Sequence, residues 1–198
     1  MCWVALDRAM RMAQRTARPA PIERWRAVRD EIAGTILDDY WNVEKQAFVQ
    51  YPGSDQLDAS VLLMPMVKFL HPQDGRWLST LDAVARELAS GALVARYVTH
   101  HEGENLDGLH GVEGAFTPCS FWYVECLARA GRVDEGRLLF EKMLNYANHL
   151  GLYAEEIGRS GEHLGNFPQA LTHLALISAA YALDAAIEHK RAHPPVRA

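Results

Sequence analysis

The chain has 198 residues, 49% of them hydrophobic, a length that suits one domain burying about 70% of its extended surface. A net charge of -5 and a pI near 6.0 argue against a general electrostatic grip on nucleic acid. No uninterrupted apolar run approaches the roughly 18 residues of a membrane span, and Trp3-Val4-Ala5-Leu6 follows no basic leader, so no membrane partner is expected. Three cysteines at no metal-ligand spacing point to a reduced, cytoplasmic setting.

Residues 3–15 carry Trp3, Leu6, Met10 and Ala13 on one stripe, with Asp7, Arg8, Arg11 and Arg15 around it, which predicts an amphipathic helix. Pro19 and Pro21 interrupt the chain, and Pro21 suits a first helical turn. A second helix over 22–38 places Ile22, Trp25, Val28, Ile32 and Ile36 on one side. The weak alternation over 40–50 predicts a short extended piece, with Trp41 and Phe48 as core residues rather than sugar-stacking ones. Tyr51-Pro52-Gly53-Ser54-Asp55 is a turn. Asp58 then caps an apolar helix over 59–70, which Pro65 should kink unless it sits near a broken turn. After a loop at 71–75, residues 77–89 form a helix with Leu78, Leu81, Val84, Ala85 and Leu88 inward.

The stretch 92–114 has no regular pattern, and an irregular loop of that length in a compact domain is often functional. It holds Arg96-Tyr97 and the histidines His100, His101 and His110. Adjacent histidines point apart, and no Cys, Asp or Glu stands at ligand spacing, so no metal and no other cofactor is expected. Helices follow over 117–130 and 133–150. Cys119 and Cys126 lie about 10 Å apart along the first of these, beyond disulfide reach. The last helix, 167–189, is apolar on most sides, opened by Asn166 as cap with Pro168 in its first turn. His173 on it reads as a packing histidine, and residues 190–198 as a flexible tail. Helix starts near 3, 22, 58, 77, 116, 133 and 167 are too uneven for 34-residue repeats.

Between the last two helices stands Gly151-Leu152-Tyr153-Ala154-Glu155-Glu156-Ile157, followed by Gly161-Glu162-His163-Leu164-Gly165-Asn166. Two adjacent carboxylates in a short loop can be solvated charges, or one can be a rigidly held general base. With Ser54-Asp55-Gln56-Leu57-Asp58-Ala59-Ser60 and Glu113-Gly114-Ala115-Phe116, this loop resembles the C-terminal half of the glucoamylase/trehalase-like glycoside hydrolases, family 15. The resemblance implies an all-α fold, a partial (α/α)6 toroid contributing about seven of twelve helices. It implies inverting hydrolysis of an α-glucosidic bond, in an oligosaccharide, polysaccharide or trehalose. Glu155, in Ala154-Glu155-Glu156, takes the position of the general base. Glu156 stands where other members have Gln and would be a neighbour or alternative base. Arg96 and Tyr97 match a sugar-binding segment, and a guanidinium fork suits vicinal hydroxyls. Phe116 would border the sugar subsite or begin a helix in the core. Glu113 is a candidate polar contact, and Asp58 is a substrate contact or a cap.

In the resembled family the general acid precedes the segment matching the first helix. Met1 therefore reads as an internal methionine of a longer protein, and the chain as base-bearing, acid-lacking and inactive alone. Such a partial toroid should self-associate or pair with a missing N-terminal portion. The competing class is a non-catalytic all-α module that binds a protein partner.

Overall fold

Two amphipathic helices open the chain, α1 (Cys2–Thr16) and α2 (Ile22–Asp39). α1 buries Met10 and Ala13 as its stripe predicts, and Trp3 meets Phe69 edge-on at 5.1 Å. It also buries Asp7, a charge that needs pairing; Arg8 and Arg11 supply this, and Arg29 reaches it from α2 at 4.0 Å. No residue of α2 is fully buried, so it forms an outer layer. The computed structural model describes residues 1–98 and 114–193.

The extended piece expected near 40–50 is a hairpin of β1 (Trp41–Asn42) and β2 (Ala47–Phe48). Phe48 is fully buried, Trp41 is partly buried and packs edge-on against it at 5.2 Å, and Arg76 lies over both rings. The helix expected over 59–70 is much shorter. One 3-10 turn, Ala59–Leu62, passes into a single α-turn, α3 (Leu63–Met66). Pro65 offers no N–H, and the chain leaves the helix at Lys68, whose φ is 64°. Arg8 Nη2 donates to the carbonyl of Val67 at 3.0 Å and ties this break to α1.

α4 (Gly75–Glu87) starts at Asp74, whose carboxylate accepts from the N–H groups of Arg76 and Trp77. Its inner face, Trp77, Leu81, Ala83 and Val84, joins Phe48, Leu57 and Leu62 in one apolar cluster. A second hairpin, β3 (Ala89–Ser90) with β4 (Leu93–Val94), leads to Arg96. α5 (Thr117–Arg129) is buried nearly all round and forms the centre of the molecule. It contributes Cys126 and Leu127 to the first cluster and Phe121, Val124 and Ala128 to a second.

α6 (Val133–Leu144) ends six residues before the expected boundary at 150. The Asn148 carboxamide accepts from the N–H groups of Leu150 and Leu152, a side-chain turn that competes with the helix, and Leu150 lies exposed. α7 (Ala170–Ala192) begins at Gln169, whose side chain accepts from Leu171 N, so Asn166 is not its cap; the Phe167–Pro168 peptide before it is cis. The helix continues to Ala192, and residues 194–198 lie outside the described set. By length and a mean hydropathy of 1.5 over 18 residues α7 could cross a membrane, a property hidden in the sequence by Thr172, His173, Tyr181 and Asp184. Here Ala175, Ala179 and Leu183 dock it on α5. Among the described residues the class is all-α, seven helices arranged as part of an (α/α)6 toroid, with only two-residue strands between them.

Candidate functional site

A three-stranded sheet, with one strand ahead of α5 and two between α6 and α7, was not legible from residue patterning, because each of its strands is two residues long. β5 (Ala115–Phe116), β6 (Glu156–Ile157) and β7 (His163–Leu164) lie antiparallel in that order. Phe116 pairs with Glu156, and Glu156 with Leu164. Gly114 lies so close to β6 that a Cβ there would sit 2.7 Å from the carbonyl oxygen of Ile157.

Glu155, just ahead of β6, is held at its backbone from both sides. Its carbonyl accepts from Thr117 N at 2.9 Å, and its N–H donates to the carbonyl of Asn166 at 2.9 Å. The register Glu156↔Leu164 would bring Gly165 opposite Glu155, so the pairing slips by one residue at Gly165, whose φ is 72°. Such an extra residue in one strand re-aims its neighbours. The slip frees the N–H of Asn166, which donates to Glu155 Oε2 at 3.0 Å, while Asn166 Nδ2 donates to the same oxygen at 2.8 Å. Oε1 accepts no hydrogen bond among the described residues. A Cβ at Gly165 would lie 2.8 Å from Oε2.

Glu156 is directed elsewhere: its Oε2 accepts from Gly114 N at 3.0 Å. Successive residues of an extended strand face opposite sides, so the adjacent carboxylates serve different partners. Both are partly buried.

Arg96 and Tyr97 line an open cavity of about 430 Å³ with Ser90, Tyr146, Arg159 and the edge residues Gly114, Ala115, Ile157 and Gly158. The wall therefore includes β6, two residues beyond Glu155, although neither glutamate lines it among the described residues. The Arg96 guanidinium lies 6.0 Å from the Tyr97 ring centroid, and its Nε is 3.6 Å from Asp58 Oδ2. Asp58 caps the 3-10 turn, as one of its two readings anticipates, through Oδ1 to Ser60 N at 2.7 Å. Phe116 is partly buried and packs edge-on against Trp122 at 6.5 Å. Glu113 and the histidines at 100, 101 and 110 lie outside the described residues.

The Glu155 loop is anchored from below. Thr172 Oγ1, buried in α7, donates to the carbonyl of Ala154 at 3.1 Å. Tyr153 is buried against Phe121, and its hydroxyl donates to the carbonyl of Met143. His173 packs edge-on against Tyr153, as expected of a packing histidine. Patterning marks Asn166 only as a helix cap and gives Gly165 and Arg159 no role. The signal available was the Gly-Asn pair beside a candidate carboxylate, a composition that favours left-handed or slipped backbone.

The profile of "Glycosyl hydrolases family 15" matches residues 1–181. A trehalase of Mycobacterium tuberculosis is 49% identical over 180 residues, covering 90% of this chain and 26% of that protein. A trehalase of Thermoplasma volcanium is 41% identical over 189 residues, covering 94% of this chain and 29% of that protein. The chain thus spans roughly a quarter to three tenths of the length of these curated relatives. Among solved structures, one titled "Glycosidase Wild Type" superposes with a TM-score of 0.70 at 18% identity, covering 84% of this chain and 46% of that one. A glycosidase variant in complex with glucose gives 0.68 with the same coverage. At that identity the superpositions establish the fold, and the sequence matches establish the kinship: the chain belongs to the glycosyl hydrolases of family 15.

Proposed function

We propose that residues 1–198 form the C-terminal portion of one (α/α)6 catalytic domain that hydrolyses an α-glucosidic bond with inversion, and that trehalose is the substrate. The trehalase names of the similar proteins support the choice of sugar. The observation that carries the chemistry is the Glu155 carboxylate, with one oxygen fixed by two donors from Asn166 and the other accepting no hydrogen bond among the described residues. A general base needs that: a set direction and an oxygen left for water. Glu155 takes a proton from water as the water oxygen attacks C1 of one glucose. The C1–O bond to the second glucose breaks, its electron pair leaves on that oxygen, and a carboxylic acid on the opposite face protonates it. Inverting pairs stand roughly 6.5–9.5 Å apart to admit the water. In this reading the acid comes from outside the 198 residues, Arg96 and Tyr97 bind sugar hydroxyls, Phe116 and Glu113 border the subsite, and Glu156 braces β5 through Gly114.

The test uses α-D-glucosyl fluoride, whose leaving group needs no protonation. The chain is expected to release fluoride and β-glucose from it while cleaving trehalose little or not at all. Glu155→Gln should lower fluoride release by about 10²-fold or more, the usual contribution of a general base. Robust trehalose turnover would mean that the acid lies within these residues, and fluoride release that ignores the substitution would reject Glu155.

A second reading, an interaction module without chemistry, is favoured by one observation, the apolar stripe exposed on α7 at Leu171, Leu174, Ile177 and Tyr181. In the first reading that stripe is covered by the rest of the toroid or by a second copy. A reducing, cytoplasmic location accords with three free cysteines, two of them buried.

A further inference from the structure

Asp58 can touch sugar, or it can act through another residue, and its surroundings favour the second. It is 7% exposed, and both of its carboxylate oxygens are engaged. Oδ1 accepts from Ser60 N at 2.7 Å, and Oδ2 faces Arg96 Nε at 3.6 Å. One residue on, Ala59 N donates to the carbonyl of Arg96 at 2.7 Å. The 3-10 turn therefore holds Arg96 at two points, its backbone and the root of its guanidinium. The ring of Tyr97 lies beside the guanidinium, and among the described residues no hydrogen bond occupies its two terminal nitrogens. Those nitrogens belong to the side chain that lines the 430 Å³ cavity, whereas Asp58 lines a different one, the 320 Å³ space beneath α1. Cys119 on α5 lies within reach of both charges. Burial is the main cause that pushes its thiol up to about 12; Asp58 then raises it and Arg96 lowers it, so both charges converge on one point of the central helix.

We infer that Asp58 is a positioning residue. It orients the Arg96 guanidinium so that its terminal nitrogens face the cavity, and it does not itself contact the sugar. A carboxylate at Nε leaves the far edge of the fork, the edge that suits vicinal hydroxyls, free for a ligand. The inference rests on Arg96 binding the glucoside, as proposed above.

A double-mutant cycle on the 198-residue chain separates the outcomes, read as the dissociation constant for trehalose by titration calorimetry. Asp58→Asn keeps the cap, because Asn caps a helix as well as Asp does, and removes the charge facing Arg96. It is expected to weaken binding about tenfold, the size of one charge-assisted contact. In an Arg96→Gln background the same change should alter binding less than about twofold, because the residue it acts through is gone. Equal losses in both backgrounds would show Asp58 on the sugar and overturn the inference while leaving the proposed function intact. Trehalose binding that is missing in the parent, or indifferent to Arg96→Gln, would overturn the proposed function and this inference with it. The contact is also read without ligand: the Nε–H resonance of Arg96 in a ¹H–¹⁵N spectrum should move on Asp58→Asn, while the Ser60 amide, still capped, stays in place. An unmoved Arg96 signal would sink the inference whatever the binding data.

Discussion

Gly165 is the residue on which the geometry of the candidate base depends most. It supplies a left-handed backbone, with φ 72°, and vacant space beside the Glu155 carboxylate. A methyl group there meets Oε2 at 2.8 Å and the Glu155 Cβ at 3.0 Å, and the strained φ alone costs about 1–2 kcal/mol. Gly165→Ala should therefore destabilise the chain by about that amount in urea unfolding and lower fluoride release from α-D-glucosyl fluoride at least about tenfold. Asn166→Ala removes one donor and keeps the other, so its loss of rate should be smaller, with unfolding nearly unchanged. A larger loss for Asn166→Ala than for Gly165→Ala would contradict the two-donor geometry.

Titration offers a second test at this scale. Burial raises the Cys119 thiol from 9.0 to about 12 and Cys126 well above 9.0, and burial followed by the charge of Glu135 raises Tyr123 from 10.0 to about 12. Between the unfolded and folded values the native state keeps protons that the unfolded chain has lost. The unfolded state thus binds fewer protons, and stability falls as pH rises. The decline should begin near the thiol value of 9.0, below the onset of the tyrosine. Cys119→Ala should roughly halve the slope in that lower window, measured as urea unfolding free energy against pH; an unchanged slope would mean that the thiol ionises freely in the native state.

At the level of elements, α5 is buried nearly all round and carries a buried charge. Glu125 is 1% exposed, with Oε1 accepting from Nε and Nη2 of Arg129 at 2.8 and 2.6 Å and Oε2 buried with no hydrogen bond among the described residues. Removing the guanidinium strands a buried charge. Because Arg129 is 40% exposed and water already screens the pair, Arg129→Met should cost about 2 kcal/mol rather than the full penalty of a dry one. A Glu125→Leu/Arg129→Met double variant should recover most of it, since no charge is then left unpaired. Urea unfolding of the three proteins measures both figures.

The same elements explain what patterning could reveal. α1, α2, α4 and α5 were legible within about two residues because each is long, periodic and uninterrupted. The helix over 59–70 was overextended because its apolar residues serve a broken 3-10 and α turn, whose end at Lys68 has no composition signal. The end of α6 was missed because Asn148 wins the backbone N–H groups of Leu150 and Leu152. Asn166 illustrates the limit at the candidate site. As a residue type it suits a helix cap, yet tertiary pairing gives that task to Gln169 and turns Asn166 onto Glu155.

For the whole molecule, the decisive feature is the outward face of α7. Leu174 is 65% exposed, Ile177 64% and Tyr181 79%, three large side chains at helical spacing on one stripe, with Leu171 and Phe167 continuing it toward Glu155. Single exposed apolar residues are ordinary, but a contiguous stripe beside a candidate site is a candidate contact surface. Fully covering each such side chain is worth about 1.5–3 kcal/mol, enough for a few of them to drive association despite its entropic cost. The 198-residue chain should accordingly show concentration-dependent self-association in sedimentation velocity, and Leu174→Glu with Ile177→Lys should hold it monomeric with little change in its melting temperature, because neither residue is in the α5 contact. The same double variant should leave fluoride release from α-D-glucosyl fluoride intact if the stripe only covers the fold. If activity falls with the oligomer, a neighbouring copy completes the sugar site, and the stripe belongs to the catalytic assembly rather than to its exterior.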